Sequence, residues 1–303
     1  MAEAKKDANP YQGTEQNKGQ KVQTSLVQKG HKTVWHLQQM KEKGQKITMV
    51  GTAAMDSIFG MYCEVGGADL IRYTGQGSNI EERAASMMAQ ARNYKKMAPT
   101  CCTNMNLQPC QYVTKEIAAQ NVTRLIYEGC DSALLMGVPV ETVRYLSDLY
   151  MAEIGHVGVM SGTQTNWFGG YKKVGKTAED AMKIFRMAYE YQEAGMKGMT
   201  IEMTPREVTA AIAKKLKVPV IQVAGSAPAD GSEMVCYDLW GMIPGTGTMH
   251  AKSYGGAKIA EICIKGVAEF KAEIEAEKYP AEENGWGMDP AEAEKFLNEI
   301  EKF

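Results

Sequence analysis

The sequence predicts an α/β chain closed into a (β/α)8 TIM barrel, with a polar N-terminal arm and a short C-terminal helix. Three observations carry this expectation. Eight short apolar runs recur along the chain with helical patterns between them, the alternation of a parallel sheet wrapped by helices. At 303 residues the chain is long enough to bury a core of that size. The junction after the sixth run reads as a helix start, with Thr204 as cap, Pro205 at the first helical position and Glu207 completing a capping box. An open doubly wound sheet is the alternative arrangement of the same elements.

Taken in order, residues 1–27 are rich in Lys, Gln, Asn and Gly and nearly devoid of apolar side chains, so they read as a flexible arm. The barrel is expected over 28–278. Its strands are placed at 46–53, 68–74, 98–103, 132–136, 154–160, 198–203, 218–224 and 234–239. A helix over 80–94 has Asn79 as cap and Glu82 in the reciprocal position. Further helices span 112–128 and 177–194, the latter with Ala181, Ile184, Phe185 and Ala188 on one face. Residues 279–303 read as a Gly-, Glu- and Pro-rich linker followed by a docking helix at 289–302, capped by Asp289 with Pro290 and Glu292 behind it.

Composition narrows the function classes. The net charge is −2, from 34 basic and 36 acidic residues, and no arginine cluster suggests a nucleic-acid groove. No signal peptide and no apolar run of membrane-spanning length is read, so a cytoplasmic protein is expected. Seven cysteines without zinc-finger spacing fit reduced thiols. The 21 methionines are read as adaptable core filling. No G-x-G-x-x-G follows the first strand, and "GTGTMH" lacks a Walker lysine. Trp35 and Trp286, in the terminal segments, suggest contacts between copies, hence a homo-oligomer.

Barrel enzymes work at the carboxyl ends of their strands, and that rule selects the candidates. Strand 2 ends in "RYTGQGSN", where Thr74, Gly75, Gly77 and Ser78 can form a backbone cradle for a carboxylate or phosphate. Strand 3 leads into "CCTNMNLQPC", offering Cys102 and Asn104 to a substrate and Cys101, Cys102 or Cys110 to thiol or soft-metal chemistry. On strand 5, His156 lies between glycines in "IGHVGVMSG", with an imidazole suited to a substrate oxygen. Glu202 ends strand 6 in "GMTIEMTPRE". Buried there with its pKa raised by desolvation, it can take a proton from carbon next to a carbonyl.

The runs "KITMVGTAAMDS", "IGHVGVM", "FGGYKKVGKT", "IEMTPRE", "VPVIQVAGS" and "GSEMVCYDLWGM" occur in that order. Together they resemble ketopantoate hydroxymethyltransferase, in the wider phosphoenolpyruvate mutase and isocitrate lyase superfamily, over residues 33–275. The resemblance implies an oligomer of barrels in which two strand-end aspartates hold a divalent ion that chelates a 2-oxo acid. It also implies a glutamate base and formaldehyde delivered by methylenetetrahydrofolate. Glu202 matches the base and His156 the substrate-contacting histidine. Thr74 stands where the first aspartate is expected, and only Cys, Thr, Asn and Met fill 101–105, where the second is expected. Leu134 and Met136 replace a Lys-x-Glu pair on strand 4. These departures predict no tight magnesium site of the family type and leave the cofactor, folate included, open.

Three functions are weighed. The first is an enzyme that makes or breaks a carbon–carbon bond through an enolate of a small 2-oxo acid or related carboxylate, with Glu202 and His156 catalytic. The second is a lyase or transferase using a thiol or soft metal at Cys101, Cys102 and Cys110. The third is a non-catalytic barrel that binds a metabolite.

Overall fold

The computed structural model describes residues 30–160, 165–166, 169–224, 229–243, 251–254, 258–276, 278–281 and 288–300. The arm expected over 1–27, Trp286 and part of the expected linker lie outside them. Contacts divide the chain into two compact units, Met1–Leu239 with Gly247–Lys252, and Trp240–Thr246 with Ser253–Phe303.

In the first unit eight parallel strands alternate with helices. They are β1 (Ile47–Ala53), β2 (Leu70–Tyr73), β3 (Cys102–Asn106), β4 (Ser132–Leu134), β5 (Ile154–Gly158), β6 (Gly198–Glu202), β7 (Val220–Val223) and β8 (Gly231–Val235). Around the sheet the order is β4-β3-β2-β1-β8-β7-β6-β5, and a parallel bridge from Ala133 to Glu153 joins its two ends. The sheet is therefore a nearly closed barrel, not the open sheet weighed as the alternative. Between strands lie α2 (Ile58–Val65), α3 (Ile80–Met97), α4 (Lys115–Tyr127), α5 (Val140–Asp148), α6 (Ala178–Glu193) and α7 (Arg206–Lys215), with α1 (Val34–Glu42) ahead of β1 and α8 (Cys236–Leu239) after β8. No described helix is long and apolar enough to cross a membrane.

Two strands differ from their expected places. β3 starts at Cys102 instead of residue 98, because α3 continues to Met97 and Pro99, which has no N–H for a ladder, sits in the turn that follows. β8 starts at Gly231 instead of 234, and the apolar stretch from Cys236 turns helical. Short apolar runs do not distinguish strand from helix by period alone. The capping box expected at Thr204 does not form. Pro205 is the cap residue of α7, without a side-chain bond, and the Thr204 hydroxyl lies 2.7 Å from that of Thr209. By contrast Asn79 caps α3 as expected, accepting from the Glu82 amide at 2.9 Å.

Alternation along the strands builds the interior in layers. At the amino end Ile47, Met49, Leu70, Cys102, Ile154 and Ile221 form an apolar floor, sealed by Leu37 of α1. Three aspartates tie the rim of this end. Asp69, Asp131 and Asp230, each one residue before its strand, accept from amides in the first two residues of the neighbouring strands, at Thr48, Thr103 and Val220. They also pair with Lys32, His31 and Lys41.

The next layer is polar. Buried Arg72 of β2 donates to Asn104 Oδ1 on β3 (2.7 Å), Thr200 Oγ1 on β6 (3.0 Å), Glu233 Oε2 on β8 (3.1 Å) and the Ile154 carbonyl on β5 (3.2 Å). One guanidinium thus links five strands. Burial pulls its pKa down while Glu233 and Glu202 hold it up.

In the second unit α9 (Ile259–Glu275) and α10 (Pro290–Ile300) are the helices. By its contacts α9, read from sequence as part of the 28–278 barrel, belongs here. Asp289 caps α10 as expected, accepting from the Ala291 and Glu292 amides.

Replacing Arg72 with Met leaves Glu233 buried without its cation. Denaturant unfolding is expected to show a loss of about 3–5 kcal/mol, and the Arg72→Met/Glu233→Leu double variant is expected to regain most of it.

Candidate functional site

Above the polar layer, at the carboxyl ends of the strands, lies a cavity of about 300 Å³. Thr74, Asn106, Leu134, Met136, His156, Glu202 and Glu233 reach it from β2 through β8, and Arg83 reaches it from α3. Strand parity explains the convergence. Residues 70, 72 and 74, or 102, 104 and 106, point inward at successive heights, so the third of each set meets the cavity. The backbone is unusual around this mouth: Ala53, Met203 and Ala224 have positive φ just where β1, β6 and β7 end. Such strained positions gather at functional sites.

Glu202 and His156 open into this one cavity. The Gly158 position on β5 is in register with Glu202 on β6, and a side chain there would strike the Glu202 carbonyl oxygen at 2.3 Å. Glycine therefore lets the two strand ends close up. His156 Nε2 faces the Val159 carbonyl at 2.8 Å, and a carbonyl can only accept. Nε2 therefore carries the proton and shares it with Glu202 Oε2 at 3.2 Å. Nδ1 lies 2.9 Å from Thr200 Oγ1. Both His156 nitrogens are thus engaged by the protein, Nε2 toward the Val159 carbonyl and Glu202 and Nδ1 toward Thr200.

The Glu202 carboxylate also accepts from the Tyr171 hydroxyl at Oε1. Burial pulls its pKa upward, but the His156 and Tyr171 hydrogen bonds and the charge of Arg72 pull harder, and the net shift is downward. The expectation that desolvation would raise it is thus reversed. Glu233 goes the other way. Burial pushes its carboxyl up against the pull of Arg72, and its Oε1 lies over the bare face of Gly51, where a Cβ would meet it at 2.8 Å.

The remaining candidates divide. Thr74 lines the cavity, with its hydroxyl donating to the Asn106 carbonyl (2.7 Å) and accepting from Gln108 Nε2 (2.8 Å). Asn104 lies a layer lower, between Arg72 and the Ser132 hydroxyl. The strand-3 residue that reaches the cavity is Asn106, outside the 101–105 window, because β3 runs four residues later than expected. Gly75, Gly77 and Ser78 form no open cradle. The Ser78 amide is taken by Glu82 at 2.7 Å, and Cβ atoms on Gly75 and Gly77 would strike Arg83 and Glu82.

Cys102 sits in the apolar floor, and Cys101 donates its thiol to the Ala68 carbonyl. Burial pushes both thiols up, Cys101 to about 12, so neither is a ready thiolate. Cys110 is exposed, and all seven cysteines are unpaired.

Sequence reasoning missed Arg72, Arg83, Tyr171 and Glu233. Arg72 carried a usable signal: an arginine inside the apolar run "ADLIRYT", two residues before Thr74 and so on the same face.

A divalent ion of the kind the resemblance implies does not fit these residues. Thr74, Asn106, Leu134 and Met136 bring no charge, and both cavity carboxylates are engaged, Glu202 by His156 and Tyr171, Glu233 by Arg72. Among the described residues no group of three or more His, Cys, Asp and Glu is placed to hold a metal ion. Magnesium demands hard oxygen ligands in octahedral order.

A family profile described as ketopantoate hydroxymethyltransferase matches residues 31–282. The chain is 28% identical over 283 residues to 3-methyl-2-oxobutanoate hydroxymethyltransferase 1 of Methylibium petroleiphilum, covering 89% of this chain and 94% of that one. The enzyme of the same name from Hyperthermus butylicus is 29% identical over 275 residues, covering 87% and 93%. Among solved structures, phosphoenolpyruvate phosphomutase from Streptomyces platensis subsp. rosaceus superposes with a TM-score of 0.54 at 13% identity, over 89% of this chain and 96% of that one. That likeness supports the barrel fold.

The lowered Glu202 pKa has a signed consequence. Its contribution to stability is fully present above the unfolded value of about 4.3 and is lost as pH falls through the lower folded value. The gap between the urea midpoints of the wild type and Glu202→Gln is therefore expected to be widest at neutral pH and to narrow below about pH 4.

Proposed function

Because the chain belongs to the ketopantoate hydroxymethyltransferase family, we propose that it is an enolate-forming lyase or transferase acting on a small 2-oxo acid or related carboxylate. The observation that carries this reading is the Glu202 carboxylate at the mouth of the barrel, buried, held by two donors and facing a cavity of about 300 Å³. That volume lies at the small end of ligand pockets. Leu134, Met136, Val223 and Val235 give it an apolar wall suited to an alkyl chain.

In the proposed step the C–H bond next to the carbonyl breaks, its proton passes to Glu202, its electron pair forms the carbon–carbon double bond, and the carbonyl π pair moves onto oxygen to give the enolate. His156 and Tyr171 fix the carboxylate so that little reorganisation precedes the transfer. The enolate oxygen then needs donors, each contributing about 3–4 kcal/mol. Burial pushes the Glu233 carboxyl up against the pull of Arg72, with which it is paired, while the donors on Glu202 hold that carboxyl down. The enolate takes its new carbon–carbon bond from an electrophile in the same cavity, or returns the proton.

The test is deuterium exchange at carbon 3 of 3-methyl-2-oxobutanoate, the 2-oxo acid in the relatives' names. Wild-type protein is expected to exchange that proton, and Glu202→Gln to lose exchange while still binding. Exchange that survives the substitution removes the base role, and binding without exchange in the wild type favours a retired barrel.

A further inference from the structure

Among the described residues that line the cavity, one charged side chain is used neither by the interior network nor by the proton transfer. Arg83, in the first turn of α3, lines the cavity and is half-buried. Its Nε donates to the Gly77 carbonyl at 3.0 Å, which aims the side chain, while its two terminal nitrogens have no hydrogen bond or ion pair among the described residues. The adjacent carboxylate does not neutralise it. Glu82 is turned onto the Ser78 amide (2.7 Å), the Ser78 hydroxyl (2.8 Å) and the Asn79 amide group (2.9 Å).

The glycine loop places this arginine. A Cβ on Gly75 would lie 1.8 Å from the Arg83 carbonyl oxygen, and one on Gly77 would lie 2.4 Å from Glu82 Cβ. Only bare backbone lets the first turn of α3 press this close to the end of β2. The loop that reads from sequence as an anion cradle is the means of bringing a guanidinium to the cavity.

We propose that Arg83 binds the carboxylate of the substrate, so that the positive charge receiving it comes from a side chain of the protein. This inference rests on the reading above of a 2-oxo acid enzyme. Charge balance supports it. Arg72 is matched by Glu233 at 3.1 Å, and the His156 N–H is already engaged by Glu202. An anionic substrate entering beside ionised Glu202 is repelled unless a cation receives it, and Arg83 is the cavity cation without a carboxylate partner among the described residues. A guanidinium whose two terminal nitrogens have no partner among the described residues suits a carboxylate in a forked pair. With the carboxylate on Arg83 and the alkyl chain against Leu134, Met136, Val223 and Val235, the ligand class is a short monocarboxylic 2-oxo acid with an apolar tail.

Calorimetric titration with pyruvate, 2-oxobutanoate, 3-methyl-2-oxobutanoate and the methyl ester of the last, all in EDTA, tests this. Wild-type protein is expected to bind at least one acid without divalent metal and to bind the ester more weakly. Arg83→Met and the more polar Arg83→Gln are expected to weaken acid binding tenfold or more and to leave ester binding unchanged, with Arg83→Lys in between. Acid binding unaltered in both neutral variants overturns the role of Arg83, and so does wild-type binding abolished by EDTA. Either result leaves the enolate reading standing if Glu202→Gln still loses exchange. No binding of any acid by the wild type, with or without added magnesium, overturns the enolate reading and this inference with it.

Discussion

Arg72 is the constraint on which the interior of this barrel depends. A guanidinium buried among strands is costly to desolvate, and only a full set of acceptors makes it tolerable. The barrel provides them on β3, β5, β6 and β8, so the charge is accommodated only when those strands are in register with β2. The apolar floor beneath it is interchangeable in character, built from side chains whose burial is non-directional. The arginine layer is directional, and it sets the height at which the cavity begins.

That layer also sets the electrostatics above it. Arg72 is close enough to lower the pKa of Glu202 and to resist the rise in that of Glu233, while its bond to Thr200 ties it to the hydroxyl that faces His156. The two carboxyl groups in the cavity thereby come to differ. One is held ionised by the His156 N–H and the Tyr171 hydroxyl, and the other is pushed toward its protonated form by burial. The pocket is organised around paired side chains, with Thr74, Asn106, Leu134 and Met136 at positions that offer no charge.

The glycines near the site work by absence. Gly158 lets β5 and β6 approach so that His156 and Glu202 meet, Gly51 leaves room for a Glu233 oxygen, and Gly75 and Gly77 admit the first turn of α3. At each position a Cβ would collide with backbone or with a functional side chain. Their common effect is to bring polar groups from separate elements within reach of one small ligand.

The sequence by itself determined the barrel, the Asn79 and Asp289 caps, and the placement of Glu202 at the end of β6 and of His156 on β5. These follow from periodicity, from local capping chemistry and from a two-residue alternation that is visible without knowing any partner strand. It did not determine what those side chains do. The direction of the Glu202 pKa shift, the engagement of both His156 nitrogens, the closed Ser78 loop and the recruitment of Arg83 and Glu233 were decided by tertiary structure. Hydrogen-bond partners such as Tyr171 and Glu202, 31 residues apart, or Arg72 and Glu233, 161 apart, meet only when the barrel closes, and no local pattern encodes how opposing shifts from burial and charge will sum.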